Sequence, residues 1–203
     1  MAEKPTDTRT EIIEAAREQF LRHGYEGARL QKIADHIGVT KAMIHYYFNT
    51  KKELFERVYT QSADQIFGGM GEVIERDVPL FKKIEQLIET CLQVAKRHPQ
   101  VLTFVVTESS RKSDWLNPIL KKNRGLVLDK FEKELQNAAD NYQIASVDAR
   151  TLLVQIFSLC YYPVIADSIH NSLLGGEYTQ ENESVTTTPK GVVLDTVLNW
   201  LTA

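Results

Sequence analysis

The segment from Leu30 to Leu54, LQKIADHIGVTKAMIHYYFNTKKEL, constrains this chain more than any other stretch. Ile33, Ala34 and Ile37 fall at helical spacing and predict one apolar face. Gly38 predicts the stop of that helix, because glycine takes positive φ without steric cost. Val39 is placed to pin the turn against a core, and Thr40 is a good N-cap for the next helix. In that next helix only Ile44 and Phe48, at i and i+4, look inward. Lys41, Ala42, Met43, His45, Tyr46 and Tyr47 are left outside. Helix–glycine–helix corners are common in all-α proteins, so the turn alone fixes no function. A short helix with this much polar and aromatic surface is nevertheless poorly explained by core packing. It is well explained as a recognition helix laid in the major groove of double-stranded DNA.

Charge supports the same reading. From Arg29 to Arg57 there are six basic residues (Arg29, Lys32, Lys41, Lys51, Lys52, Arg57) and three acidic ones (Asp35, Glu53, Glu56), a local +3 in a chain of formal net charge −3. Local positive charge in an acidic protein points to a footprint for phosphate. Thr50-Lys51-Lys52-Glu53 reads as a capping box that opens another helix. Its free N–H groups and Lys51 form a favourable anion site. Two lysines at a helix N-terminus oppose the macrodipole, which makes more sense if a phosphate sits there.

The rest of the composition bounds the class. With 203 residues, 43% hydrophobic and 25% charged, the chain reads as an ordinary globular protein of one large or two small domains. A pI near 6.0 excludes a uniformly basic nucleic-acid coat. No apolar run approaches the roughly 20 residues of a membrane span, and the N-terminus has no secretory core segment, so the expectation is a cytoplasmic protein with no membrane partner. Cys91 and Cys160 each sit in an apolar helical pattern and read as core. The five histidines show no metal-ligand spacing, and phosphate-loop and nucleophile-elbow motifs are absent. No metal and no cofactor is expected.

Further along, the pattern is helical throughout. Thr8 and Glu11 open a first helix with Ile12, Ala16 and Phe20 inward and Gly24 at its end; Tyr25 packs back on it. The fourth helix starts at Thr50, carries Leu54, Phe55 and Val58 inward, and fades near Gly68-Gly69 or reaches Gly71. Val78-Pro79 opens a fifth, with Phe81, Ile84, Leu87, Ile88, Cys91 and Leu92 on one face. Pro99 opens a sixth, so that VLTFVVTES is a buried helix rather than a strand. Asp114 to Pro118 reads as a break. Leu120 to Tyr142 reads as a long amphipathic helix with Leu126, Phe131 and Leu135 inside. Asp148 caps a helix running to about Leu174, kinked at Pro163. Residues 175–189 read as a loop, and a last helix over 189–201 carries Val193, Val197 and Leu201 on one face. The segment 152–174 is apolar nearly all round, which fits either the central helix of a monomer or one buried against a second copy of the chain. DNA recognition favours the homodimer, since two-fold dimers read two half-sites.

The order and spacing of Phe20, Gly24-Tyr25, Ile33-Ala34, Gly38-Val39-Thr40, Ile44, Tyr47-Phe48, Lys51 and Leu54 resemble the TetR family of bacterial transcriptional regulators over about residues 8 to 60. The resemblance implies an all-α fold. A three-helix helix-turn-helix head (residues 1–50, motif about 29–48) would be joined by a linking helix to a larger helical ligand-binding and dimerisation domain (51–203). It implies a homodimeric repressor on a palindromic operator, released by a small-molecule effector. Carried over by position, Arg29, Gln31, Lys41, Ala42, Met43 and His45 would face bases or nearby backbone. Tyr46 and Tyr47 would reach phosphates or thymine methyls, and Lys51 would hold a phosphate. The chain departs from the family at Ala28-Arg29, where Ser or Thr is common. It also departs at His45, where an aromatic is common, and at Lys52, where a carboxylate is common.

Candidate effector-lining residues are Phe104, Thr107, Glu108, Trp115, Phe131, Phe157, Tyr161 and Tyr162. Aromatics with one acid suit a mostly apolar ligand bearing a polar or cationic group; each alone also suits a core. Two other readings stand beside this one. A ligand-independent DNA-binding or architectural protein would share the head. A helical enzyme would have only Glu108, Asp114 and His170 as titratable candidates, with no recognisable spacing. Effector identity, operator sequence and the sign of regulation are not written in the chain.

Overall fold

The computed structural model describes residues 8–124, 128–141, 143–174 and 188–202. They form eleven α-helices. The described residues gather into two compact units. One comprises 8–64 and 104–124; the other comprises 65–103 with 128–141, 143–174 and 188–202. In this grouping the segment 104–124 belongs with the N-terminal helices.

In the first unit α1 (Thr8–Gly27) buries Ile12, Ala16 and Phe20. Its regular part ends at Gly24, whose φ of 63° breaks the helical run. α2 (Leu30–Ile37) buries Leu30, Ile33 and Ala34, and ends at Gly38 with φ 71°. Ile37 is only half-buried. α3 (Lys41–Tyr47) buries Ile44 alone, and Phe48 closes it from the C-cap. Thr40 Oγ1 accepts from the Met43 amide at 3.2 Å, which is the expected cap. α4 (Lys51–Glu75) opens on the Glu53 amide donating to Thr50 Oγ1 at 3.1 Å. The Glu53 carboxylate reaches back one residue further than a simple box, accepting from the Asn49 amide at 3.2 Å.

Several expectations needed correction. α4 runs unbroken through Gly68, Gly69 and Gly71 to Glu75, since single glycines weaken a helix without ending it when packing holds it. α7 (Ser113–Arg124) passes through Pro118 where a break was expected. Asp114 and Pro118 are both exposed, so water can serve the carbonyl that proline deprives of a donor. The expected helix over 120–142 is instead the end of α7 and a separate α8 (Asp129–Asp140), with Phe131 and Leu135 buried as read. Leu126, Tyr142 and residues 175–187 of the expected loop lie outside the described residues.

In the second unit α5 (Leu80–Arg97) packs on α9 (Ala149–Ile165), and α11 (Lys190–Thr202) packs on both. Ile84, Leu87, Ile88 and Cys91 meet a core shared with Leu152, Ile156, Cys160, Val193, Val197 and Leu201. Phe81, expected inside, is 40% exposed. The Asp148 carboxylate accepts from the Thr151 amide at 2.9 Å and starts α9 as read. The long helix expected up to Leu174 is two. α9 ends at Ile165 and α10 (Asp167–Leu174) leaves at 68°, one turn beyond Pro163. Lys83 is fully buried, yet its ammonium donates to both Glu134 oxygens at 2.6 and 2.7 Å and to the Ile74 carbonyl at 2.9 Å. Such pairing is what makes a buried charge tolerable. Among the described residues no single helix is long and apolar enough to cross a membrane.

Candidate nucleic-acid interface

α3 is short because its two ends are fixed, at Thr40 by the cap and at Phe48 by burial. With Ile44 and Phe48 inward, one face is left to solvent. Lys41, Ala42, Met43, His45 and Tyr46 are exposed and Tyr47 half-buried, with Tyr46 the most open at 83%. The Tyr46 and Tyr47 rings meet edge to face at 5.2 Å. His45 Nδ1 lies 3.2 Å from the Asn49 carbonyl. A carbonyl only accepts, so Nδ1 carries the proton when this bond is made, and Nε2 is the free edge. On α2 the exposed Arg29 stands at the N-cap without a side-chain cap bond, and Gln31 is tied to Asp35 at 2.7 Å.

Lys51 is less free than a phosphate-holding lysine read from sequence. Its ammonium donates to the Glu26 carbonyl at 3.4 Å and lies 4.8 Å over the Tyr25 ring. Partial burial holds it below the usual lysine range, partly offset by the charge of Glu26. Around it the second segment of the unit closes in. Lys112, at the end of α6 (Pro99–Arg111), donates to the Glu26 carboxylate at 2.5 Å and also lies 4.8 Å from the Tyr25 ring centre. Glu26 is held below the usual carboxylate range, first by that hydrogen bond. Trp115 Nε1 donates to Glu56 at 2.6 Å, and the Lys52 ammonium covers the indole at 4.7 Å. Sequence reasoning missed Glu26 and Lys112 altogether. They are 86 positions apart, and neither belongs to a local motif.

The residues proposed for an effector pocket divide between the two units. Phe104 and Trp115 pack on Phe55 at 5.7 and 5.5 Å, inside the aromatic core of the first unit. Glu108 is buried there and accepts from the Tyr25 amide at 3.4 Å, with Arg111 at 3.8 Å. Thr107 is half-buried on the same helix. In the second unit Phe157 stacks on Tyr161 at 5.6 Å and meets Phe67 at 6.4 Å. Tyr162 is 56% exposed against His170, and Phe131 is buried beside Lys83.

Two family models match the chain. The first, bacterial regulatory proteins of the tetR family, covers residues 12–58, and the second, a tetracyclin repressor-like C-terminal domain, covers 81–197. The chain belongs to the tetR family of bacterial regulatory proteins. It is a DNA-binding transcriptional regulator with an all-α, helix-turn-helix fold. Over 75 residues it is 35% identical to the HTH-type transcriptional repressor AcnR of Corynebacterium glutamicum, a match covering 37% of this chain and 38% of that protein. It is 26% identical to the HTH-type transcriptional regulator RutR of Escherichia coli over 147 residues, 72% of this chain and 69% of that protein. The Streptomyces coelicolor protein SCO4942 shares the fold at a TM-score of 0.66 and 17% identity, covering 96% and 98% of the two chains. FadR of Bacillus subtilis, solved with stearoyl-CoA, does so at 0.63 and 22%, covering 95% and 98%.

Proposed function

We propose that this member of the family is a homodimeric, non-enzymatic repressor acting in the cytoplasm on a palindromic operator, and that a small, mostly apolar ligand releases it. The observation that carries the DNA part is the division of α3 into two faces, Ile44 with Phe48 buried, and Lys41, Ala42, Met43, His45 and Tyr46 open. In this reading those residues, with Arg29, Gln31 and Tyr47, read or position the operator, and Lys51 holds a phosphate at the start of α4. The dimer reading is supported by large apolar side chains left open on α9, α10 and α11. The ligand reading is supported by the run of aromatic rings in the second unit, where Phe157 stacks on Tyr161 at 5.6 Å and meets Phe67 at 6.4 Å.

Selection from a random DNA pool tests the assignment. A palindrome with half-sites about one turn apart, or a near multiple, is expected. Lys51→Ala should weaken binding to all sequences alike and reduce the salt slope by about one phosphate contact. His45→Ala or Lys41→Ala should instead change which sequence is selected. An asymmetric or absent consensus would sink the operator reading.

A further inference from the structure

Glu26 is gripped by two lysines through different oxygens. Its carboxylate accepts from Lys112 at 2.5 Å, and its backbone carbonyl accepts from Lys51 at 3.4 Å. Both ammonium groups stand 4.8 Å from the centre of the Tyr25 ring, so the three charges share one small patch of the first unit. The Glu26 side chain is 81% exposed, while that of Lys112 is 20% exposed. The acid is thus the solvent-facing partner and the lysine the packed one. An uncommitted carboxylate here would do two things to DNA binding. It would compete with phosphate for the Lys51 ammonium, and it would repel the phosphate itself.

We propose that Lys112 is a positioning residue for DNA binding: by holding the Glu26 carboxylate it leaves the Lys51 ammonium available to a phosphate. The inference rests on the phosphate role of Lys51 and adds a residue from outside the helix-turn-helix motif. Lys112 touches no DNA in this arrangement and acts through Glu26. Because Lys112 sits where α6 gives way to α7, a shift of that junction that withdraws it turns Glu26 into a competitor. DNA affinity then falls without any change at a base-reading side chain.

The test is a two-by-two cycle on the full-length protein and its selected operator duplex, measured by fluorescence anisotropy from about 50 to 200 mM salt. Lys112→Met should weaken binding roughly five- to tenfold, the size of one lost hydrogen bond of ordinary net strength. It should also lower the salt slope by about one contact. In a Glu26→Gln background the same substitution should cost less than about twofold and leave the slope unchanged, because no carboxylate remains to capture Lys51. Lys112→Arg, which keeps the pair with Glu26, should retain wild-type affinity. Equal losses in both backgrounds would mean that Lys112 meets phosphate itself, and no loss in either would mean that Glu26 does not compete; both overturn the proposal. Lys51→Ala reads the underlying assumption separately. An unchanged slope there removes the phosphate role of Lys51 and this inference with it, whereas a reduced slope beside equal Lys112→Met losses overturns only the role of Lys112.

Discussion

Gly24 and Gly38 both hold positive φ, at 63° and 71°, but Gly24 pairs it with a ψ of −177°, a region all but closed to other residues, whereas Gly38, at ψ 24°, lies in the left-handed helical one. A Cβ on Gly38 would meet nothing within 4 Å, whereas one on Gly24 would lie 2.6 Å from Glu108 Oε1. Gly38→Ala should therefore cost only the conformational term, about 1–2 kcal/mol. Gly24→Ala should cost that plus about 1–3 kcal/mol for forcing aside a buried carboxylate that also serves the Tyr25 amide. Denaturant midpoints of the two variants decide it, and equal losses would rule out the close packing of Glu108 on the turn. The role of Gly38 was legible in the sequence because its cause is local, a helix ending before a capped one. The place of Gly24 as a helix end was legible too, but its partner was not. Glu108 lies 83 positions from Tyr25, and an acid amid aromatics on an apolar helix reads equally as a ligand group.

Helix ends were readable wherever a side chain caps its own turn, as at Thr40, Thr50 and Asp148, and misread where only packing decides, as at Gly68, Pro118 and Ala166. The start of α11 belongs to neither group, because distant charges tie it down. Lys190 donates to Glu85 at 2.8 Å and to Glu89 at 3.2 Å, and Lys82 also donates to Glu85. The hydrogen bond from Lys190, then that from Lys82, holds Glu85 at about 2 against an ordinary 4.5. A carboxyl depressed in the folded state contributes stability that is complete above its unfolded value and disappears as pH falls through its folded one. Lys190 is raised above 10.5, chiefly by the same bond, so its contribution is complete below that value and lost as pH rises through the folded one. The melting-temperature gap between wild type and Lys190→Met should thus stay level through neutral pH and narrow from pH 4.5 toward about 2. A gap that stays constant across that acid window would show that Lys190 acts by packing alone.

At the scale of the molecule, the wide apolar character of 152–174 was legible, while the grouping of 104–124 with the N-terminal helices was not. That grouping comes from contacts such as Tyr59 with Ser109 and Trp115 with Glu56, which no periodicity announces. The apolar side chains of 152–174 and of α11 resolve into two populations. Leu152, Ile156, Cys160 and Val197 are spent on the unit's own core. Val154, Tyr162, Ile169, Leu173, Val192 and Trp200 are each more than 40% exposed. Open apolar side chains on three helices of one unit support the proposed association with a second copy of the chain. A charge at Val197, 2% exposed, would damage the fold itself and say nothing about association. Leu173, 77% exposed, and Val192, 54% exposed, are better probes. Leu173→Glu with Val192→Glu should give a folded monomer of unchanged helicity. That monomer should bind a single half-site about as the wild type does and lose the added affinity of the full palindrome. Light scattering at micromolar concentration, circular dichroism and binding to half and full operators separate these outcomes. A double variant that remains a dimer of wild-type affinity would move the interface away from α10 and α11.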